Sequence, residues 1–252
     1  MMKKIIVSIC SLWIICALNP LVSQAAEQKP IQIKTYHADV NGDGQNEKIQ
    51  LKGILFSPDS NFYREIWTEI TNKQKEGWKI NYAGGGYDPT LQMIDLNHDN
   101  KKDIFYQSAT GGSGGLYNYQ LNTISQGQLK ENPLPEQAYL SGTFEDNFNV
   151  IIKLTPTDKP ITIDVQNRAE DYIRLGIYDK NGNLLESHKS VMIDPIAFFE
   201  PVLISKSKGY GLKSYQQISG AYHADRLGTV ETTWYYENGE WIILQTKWIP
   251  ST

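Results

Sequence analysis

Residues 39–47 read DVNGDGQNE, and residues 95–103 repeat the pattern as DLNHDNKKD. Both segments place Asp, Asn or Glu at positions 1, 3, 5 and 9. Short oxygen-bearing side chains at alternate positions of a tight loop can converge on one hard cation such as Ca²⁺, which takes six to eight oxygen ligands. Strand-like apolar residues follow each segment. The paired loops therefore predict two Ca²⁺ sites between β-strands.

The predicted ligands are the side chains at positions 1, 3, 5 and 9 and the main-chain carbonyl at position 7. They are Asp39, Asn41, Asp43, Gln45 and Glu47 in the first loop, and Asp95, Asn97, Asp99, Lys101 and Asp103 in the second. Position 6, Gly44 or Asn100, is expected to take a left-handed backbone, which Gly and Asn tolerate. Position 12 is Gln50 or Tyr106 rather than the bidentate Glu of an EF-hand, so the position 9 acid is expected to close each site. His98, at position 4, is expected to point outward. The alternative interpretation is a pair of ordinary β-turns, which use the same residue types.

The N-terminus has the layout of a secretory signal peptide over residues 1–25. Two lysines precede an apolar run over residues 5–18, and residues 23–25 form a small-residue cleavage site. The run is shorter than the roughly 20 residues of a membrane span. An isoleucine precedes Cys10 and another precedes Cys16, where a lipidated Cys requires a small residue. We therefore expect a secreted, extracellular protein, associated with the cell wall in one interpretation, with no membrane span in the mature form.

Composition narrows the classes of function. Cleavage removes both cysteines of the chain, which excludes disulfides, thiol catalysis and Cys₄ zinc sites from the mature protein. Loss of Lys3 and Lys4 takes the formal net charge from −4 to −6. A mildly acidic chain without a basic run argues against nucleic acid as a partner. Length and the Pro-containing segment 131–135 predict a β domain over 26–130 carrying both loops, and a second β region over 131–252 packed on the first.

Short alternating segments separated by turn signals predict an all-β architecture with little helix outside the signal peptide. The antiparallel strands are expected to form a propeller-like arrangement or a sandwich. Residues 62–71 and 172–178 are predicted strands, and residues 229–236 with 241–248 are a predicted terminal hairpin. Segment 194–204 contains Pro195 and Pro201, which leave room for at most a short helix between them.

The two acidic loops resemble those of the FG-GAP/VCBS repeat class, whose β-propeller blades carry a DxDxDGxxD-type calcium loop between strands. The resemblance covers about residues 35–120, including the run GGGYDPTLQMIDLNHDNKKDIF and the run ATGGSGG, which occur in small secreted proteins of Firmicutes. It implies Ca²⁺ at the ten loop residues named above. Position 3 is Asn in both loops rather than Asp, which lowers the charge of each site. Only two repeats are recognisable, which is too few for a closed propeller.

No set of residues predicts a catalytic site. His223 and Asp225 form a candidate His–carboxylate pair, but Gly112-Ser113-Gly114 is only a loose match to a nucleophile elbow. The Gly-rich segment 109–115 lacks the Gly-Lys-Ser/Thr ending of a phosphate loop. Many Tyr and Trp residues are expected to fill the core or to contact sugar rings or a protein partner.

The sequence thus predicts a secreted calcium-binding β protein that acts as a structural or binding module at the cell surface. Its expected partner is a cell-wall glycan or a surface protein. The alternatives are an extracellular hydrolase on glycan or peptide, with Ca²⁺ as a scaffold ion, and a module assembled into an envelope or spore layer.

Overall fold

The computed structural model describes residues 28–137 and 139–251. The predicted signal peptide lies outside the described residues. Within those ranges the fold consists of fifteen strands, one 3₁₀ turn and one short helix, and every strand pairing is antiparallel. The prediction of an all-β fold of short antiparallel strands with little helix is confirmed.

The strands form four sheets, each built from strands that follow one another along the chain. Sheet 1 contains β1 (Ile31–Ala38), β2 (Glu47–Leu55), β3 (Tyr63–Thr71) and β4 (Gly77–Tyr82). Sheet 2 contains β5 (Tyr87–Ile94), β6 (Asp103–Ala109), β7 (Tyr117–Ser125) and β8 (Gln128–Asn132). Sheet 3 contains β9 (Ser141–Glu145), β10 (Asn149–Lys153) and β11 (Ile161–Asp164). Sheet 4 contains β12 (Met192–Ser205), β13 (Gly209–Ser219), β14 (Arg226–Glu237) and β15 (Glu240–Pro250).

Sheet 2 is covered on both faces, which the burial of β6 makes plain. Successive side chains of a strand point to opposite faces of its sheet. Ile104 and Tyr106 belong to the hydrophobic cluster that sheet 2 shares with sheet 1, and the Tyr106 ring stacks on Tyr82 at 3.6 Å between centroids. Phe105 points the other way and packs with Trp234 of sheet 4. Sheet 2 is therefore the central layer between sheets 1 and 4.

The long strands of sheet 4 contact both sheet 2 and sheet 3. Along β13, Leu212, Ser214, Gln216 and Ile218 share one face because of the strand alternation. Leu212 packs in the cluster with sheet 2, whereas Ile218 packs in the cluster with sheet 3. The spatial order of the sheets is therefore 1, 2, 4, 3, although sheet 3 precedes sheet 4 in the sequence.

The predicted strand over residues 172–178 is wrong, because the helix α1 (Ala169–Arg174) occupies its first half. Asp171 lies in the first turn of α1, where a carboxylate suits the helix dipole, and it accepts a hydrogen bond from Arg174 at 2.8 Å. Gly176, with φ +72°, follows the helix end and reverses the chain. Tyr172 is fully buried in the cluster between sheets 3 and 4.

Segment 194–204, for which the sequence allowed at most a short helix between the prolines, is part of strand β12, which runs through both prolines. A proline cannot donate to a sheet ladder, so prolines within sheets occur at edges and bulges. β12 is an edge strand of sheet 4, and Pro195 lies where the pairing register shifts between Ile193 and Ile196. Edge position and bulge together allow a strand that contains both prolines.

Candidate cation loops

The two acidic segments occupy the same place in successive sheets. Residues 39–47 (loop 1) join the first and second strands of sheet 1, and residues 95–103 (loop 2) join the first and second strands of sheet 2. In both loops positions 4 and 6 have positive φ: +80° and +81° at Gly42 and Gly44, and +60° and +65° at His98 and Asn100. The left-handed backbone expected at position 6 is present in both loops.

Side chains of loop 1 hold its own backbone in a tight turn. Asp39 Oδ2 accepts a hydrogen bond from the Gly44 N–H at 2.9 Å. Asn41 Oδ1 accepts from the Asp43 N–H at 2.8 Å, and Asp43 Oδ1 accepts from the Gln45 N–H at 2.8 Å. Asp39 Oδ1 also accepts from the Gly42 N–H at 2.8 Å, and Asp43 Oδ2 accepts from Asn41 Nδ2 at 3.3 Å.

Loop 2 repeats the same three hydrogen bonds with different residues. Asp95 Oδ2 accepts from the Asn100 N–H at 3.1 Å. Asn97 Oδ1 accepts from the Asp99 N–H at 3.0 Å, and Asp99 Oδ1 accepts from the Lys101 N–H at 3.0 Å. Positions 1, 3 and 5 therefore make equivalent contacts in both loops, although loop 2 has no glycine.

The position 9 acid of loop 1 is buried and only partly satisfied. Glu47 is 1% exposed, and its Oε2 accepts from the N–H groups of Val40 and Asn41 at 2.9 and 3.3 Å. Its other oxygen, Oε1, is buried without a hydrogen-bond partner among the described residues. Burial raises the pKa of the Glu47 carboxyl, and the nearby carboxylates of Asp43 and Asp39 raise it further. A cation at this oxygen would supply the missing partner.

The position 9 acid of loop 2 is also buried, but both of its oxygens have partners, because Asp103 Oδ1 accepts from Asn97 Nδ2 at 3.0 Å. Asp103 is fully buried, and its Oδ2 accepts from the N–H groups of Leu96 and Asn97 at 2.9 and 3.1 Å. Burial raises the pKa of the Asp103 carboxyl to about 6, although the main-chain hydrogen bonds lower it. In this loop the buried oxygen without a partner in the described part of the chain is Asp95 Oδ1, at position 1.

The donor set of each loop fits a hard cation but depends on neutral oxygens. Within residues 28–137 and 139–251, no group of three or more His, Cys, Asp or Glu side chains is arranged to hold a metal ion. An ion in either loop would therefore need the Asn amide oxygen at position 3 and the main-chain carbonyl at position 7 beside the carboxylates. Such mixed oxygen sets suit Ca²⁺.

The two loops also contact each other and the next sheet along. A Cβ placed on Gly42 of loop 1 would lie 2.8 Å from Lys101 Cε of loop 2, so the lysine stem covers this glycine. The expectation that His98 points outward is wrong. Its ring lies 4.5 Å from the Tyr235 ring of sheet 4, centroid to centroid, and its Cε1 lies 3.5 Å from a Cβ placed on Gly209. Loop 2 therefore bridges loop 1 and the turn between β12 and β13.

The candidate His–carboxylate pair of the sequence does not form. His223 Nδ1 lies 3.1 Å from Asp194 of β12, while Asp225 is bound elsewhere. Asp225 Oδ1 pairs with Arg168, and its Oδ2 accepts from the Tyr172 hydroxyl at 2.6 Å. Arg168 and Asp225 are 57 residues apart, and no sequence pattern connects them.

Two further features were not expected from the sequence. The Arg168–Asp225 pair borders an open cleft of about 630 Å³ between α1, the β13–β14 loop and residues 249–251. The Gly-rich segment 109–115 packs against His223, because a Cβ placed on Gly114 would lie 3.2 Å from the imidazole Nε2. No helix within the described ranges has the length and hydropathy of a membrane span.

Comparison with known proteins gives limited matches. A family model described as the YybI C-terminal domain matches residues 138–249. The uncharacterized protein YybI of Bacillus subtilis (strain 168) is 26% identical over 215 residues, which cover 83% of this chain and 80% of YybI.

Among solved structures, the rhamnogalacturonan lyase YesW aligns over 87% of this chain at 16% identity with a TM-score of 0.37. A rhamnogalacturonan lyase of Bacillus licheniformis aligns over 87% at 14% identity, also with a TM-score of 0.37. This chain spans about a third of each lyase, 34% of its length. A TM-score this low gives no ground for transferring an activity.

Proposed function

We propose that this protein is a secreted calcium-binding β protein of the FG-GAP/VCBS type that acts as a structural or binding module at the cell surface. Ca²⁺ in loop 1 and loop 2 fixes the connections at one end of sheets 1 and 2. The ion acts as a structural element and takes part in no chemical step. A surface of the stiffened scaffold then contacts a cell-wall glycan or a surface protein.

The observation that carries this proposal is the repetition of one oxygen-lined loop in two successive sheets. Positions 1, 3 and 5 make equivalent hydrogen bonds in both loops, and a buried position 9 carboxylate closes each. Two chance turns would not need a buried acid, because burying a carboxylate without a cation is unfavourable. The buried, unpartnered oxygens of Glu47 and Asp95 support an ion in each loop.

Calcium is favoured over magnesium by the chemistry of these donors. Mg²⁺ prefers a near-ideal octahedron and keeps several waters, whereas Ca²⁺ accepts irregular sets that include carbonyl and amide oxygens. Extracellular modules bind Ca²⁺ with Kd values of roughly 10⁻⁴–10⁻³ M. The neutral Asn at position 3 of both loops fits affinities in that weak range.

Calorimetric titration of the mature protein with Ca²⁺, and its melting temperature in Ca²⁺ against chelator, test the proposal. We expect binding heat and a higher melting temperature in Ca²⁺, since a ligand that binds only the folded state stabilises it. The double variant Asp39→Ala, Asp43→Ala should lower the melting temperature more in Ca²⁺ than in chelator, where only the turn hydrogen bonds of the two side chains are lost.

Asp179→Ala is the matched control. Asp179 Oδ1 also accepts turn N–H groups, from Asn181 at 2.7 Å and Asn183 at 2.9 Å, but it has no buried acid beside it. The Ca²⁺ response of this variant should equal that of the wild type. Absence of both heat and thermal shift in the wild type would refute calcium binding.

A further inference from the structure

A polar hollow lies where sheets 1 and 2 meet, on the side of the 57–62 loop. It has a volume of about 370 Å³, and its lining includes Asp59, Asn61 and Asp88. Tyr63, at the base of the loop, exchanges two main-chain hydrogen bonds of 2.9 Å with Gly86, which joins the two sheets at this point. The volume is within the range of small-ligand sites.

The polar side chains of the hollow are not used by the fold. Within residues 28–137 and 139–251, no hydrogen bond or ion pair engages the side chain of Asp59, Asn61 or Asp88. The loop is held instead by the Phe62 N–H, which donates to Ser60 Oγ at 2.9 Å, and by the Phe56 N–H, which donates to the Phe62 carbonyl at 2.8 Å. Two carboxylates and one carboxamide, all solvent-exposed, therefore line the hollow without a partner in the described part of the chain.

Asp88 occupies this position at the expense of backbone strain. Its φ is +45°, a left-handed value, and the residue after it is Pro89. A following proline restricts the preceding residue to extended conformations, so a left-handed residue there is doubly disfavoured. Asp88 and Pro89 also form the bulge of β5, between the pairs Tyr87–Ala109 and Thr90–Gln107. Local strain and bulges of this kind concentrate at functional sites.

Aromatic residues next to the hollow-lining residues in the chain, together with rings on sheet 2 and at the edge of sheet 4, form two ring pairs. We call Phe62, Tyr87, Tyr117 and Phe198 the aromatic strip. Phe62 and Tyr87 pack edge to face at 5.1 Å, and Tyr117 and Phe198 lie 5.7 Å apart, both centroid to centroid. Ala109 pairs with Tyr87 on one side and Tyr117 on the other, so the two tyrosines share a face and are separated by two strand spacings, about 10 Å.

Glycines hold the first two rings of the strip in place. A Cβ on Gly85 would lie 2.5 Å from the Phe62 ring, and one on Gly111 would lie 2.3 Å from the Tyr87 ring, so each ring lies directly against bare backbone. Tyr87 and Tyr117 nevertheless remain 37% and 38% exposed. Rings fixed in this way lose little conformational entropy when a ligand covers them.

The combination of acceptors and rings specifies the chemistry of a ligand. The carboxylates and the amide need hydroxyl or amine donors, and the rings need a flat apolar face. A sugar ring has both, because its hydroxyls lie around its rim and its C–H groups form a face. Tyr87 and Tyr117 lie about 10 Å apart across sheet 2, which suits a chain of sugars rather than one ring.

We infer that this hollow and the aromatic strip form a binding site for a linear, uncharged glycan. One sugar ring lies in the hollow, with hydroxyls donating to Asp59, Asn61 and Asp88, and the following rings stack along Tyr87 and Tyr117. This inference names the partner of the proposed surface module, but it uses no residue of loop 1 or loop 2. Glycan binding and calcium binding can therefore fail separately.

Calorimetric titration of the mature protein with neutral oligosaccharides of one to six rings, built on glucose, xylose or N-acetylglucosamine, tests the inference in Ca²⁺ and in chelator. We expect affinity to rise with chain length for at least one series. Asp88→Asn should weaken binding about tenfold or more, because a charged acceptor is lost. Tyr117→Ala should weaken the longer oligosaccharides by roughly three- to tenfold and leave the monosaccharide unchanged.

Two further variants separate binding from folding. Tyr210→Ala is the matched control, because Tyr210 is 41% exposed on β13, outside the strip, and its loss should leave affinity unchanged. Asp88→Gly removes the carboxylate and relieves the positive φ, so its melting temperature should rise while binding falls.

Three results would overturn the inference. They are the absence of binding across all three series, equal effects of Tyr117→Ala and Tyr210→Ala, or unchanged affinity in Asp88→Asn. Binding of poly-lysine that salt abolishes, without glycan binding, would identify the hollow as a site for basic peptides instead. Loss of the Ca²⁺ response with glycan binding intact would refute the calcium proposal alone.

Discussion

Asp103 shows most clearly why a single buried side chain matters in this protein. Its carboxylate is fully buried and accepts hydrogen bonds from the main-chain N–H groups of Leu96 and Asn97. Because burial raises its pKa from 3.8 to about 6, the folded state without a cation favours the protonated acid. The protonated Asp103 carboxyl makes its full contribution to the free energy of unfolding below about pH 4, and this contribution is lost as the pH rises through about 6.

We therefore expect the protein in chelator to lose stability between pH 4 and pH 7. A shift of about two pKa units corresponds to about 3 kcal/mol as an upper bound for this one group. Asp103→Asn should flatten this part of the pH profile in chelator and should also abolish the stabilisation by Ca²⁺ at pH 7. Urea unfolding across the pH range measures both effects, and an unchanged slope in the variant would contradict the role given to Asp103.

Position 6 of the loops offers a second test at single-residue resolution. Gly44 has φ +81°, and Asn100 takes the same place in loop 2 at φ +65°. Gly44→Ala should cost about 1 kcal/mol, whereas Gly44→Asn should cost only a few tenths, because Asn tolerates this backbone. A Cβ on Gly44 meets no atom within 4 Å, so packing does not obscure the comparison. Equal losses in the two variants, measured by chemical denaturation, would argue against backbone strain as the cause.

At this scale the sequence predicted the positions in the loops but not their surroundings. The spacing of Asp, Asn and Gly located the left-handed residues at position 6, because Gly and Asn have strong local preferences, but it did not predict the left-handed residues at position 4. It did not predict the contact of His98 with Tyr235, because Tyr235 lies 137 residues further along the chain, in sheet 4. The same limit applies to Arg168 and Asp225, whose pairing arises only when α1 packs against the β13–β14 loop.

Among the secondary-structure elements, β6 shows how one strand holds three sheets together. Phe105 and Tyr106 are both fully buried, yet they contact different neighbours. The predicted strands 62–71, 229–236 and 241–248 correspond to β3, β14 and β15, because alternation is a local signal. The helix α1 and the strand β12 were not predicted. Tyr172 favours a strand locally, but its burial in the core is compatible with α1. Pro195 and Pro201 disfavour a strand locally, but β12 is an edge strand, where prolines are tolerated.

Substitutions in β6 should loosen the two interfaces separately. Phe105→Ala and Tyr106→Ala should each cost about 3–5 kcal/mol, the usual loss for a large core aromatic. Only Phe105→Ala should speed hydrogen exchange of the Trp234 indole N–H, which donates to Ser214 Oγ at 2.8 Å in sheet 4. Faster exchange of that proton in Tyr106→Ala would mean that the two faces of β6 are not independent.

Across the whole molecule, the loops connect layers that the sequence separates. Leu96 of loop 2 is fully buried in the cluster between sheets 2 and 4, while Val40 of loop 1 is fully buried in the cluster between sheets 1 and 2. In each loop the position 9 carboxylate accepts a hydrogen bond from the main-chain N–H of this same apolar residue. An ion in one loop would therefore stabilise one interface more than the other.

We expect Asp99→Ala to raise amide exchange in β13 and β14 in the presence of Ca²⁺, and Asp43→Ala to raise it in β1 and β2. Hydrogen exchange by mass spectrometry resolves these segments, because local openings differ in free energy from one region to another. In chelator the differences from the wild type should be smaller, because only the turn hydrogen bond of each side chain is lost. Identical exchange maps for the two variants would show that the loops do not act on separate interfaces.

The spatial order 1, 2, 4, 3 has a consequence for the chain as it emerges from the ribosome. The N-terminal end emerges first, so sheets 1 and 2 can pack while later segments are still inside. Sheet 3 emerges next, but its apolar face has no cover until β13 and β14, near the C-terminus, have also emerged. During that interval its hydrophobic surface is exposed to chaperones or to aggregation, so a folding defect would first appear as misfolding around residues 141–164.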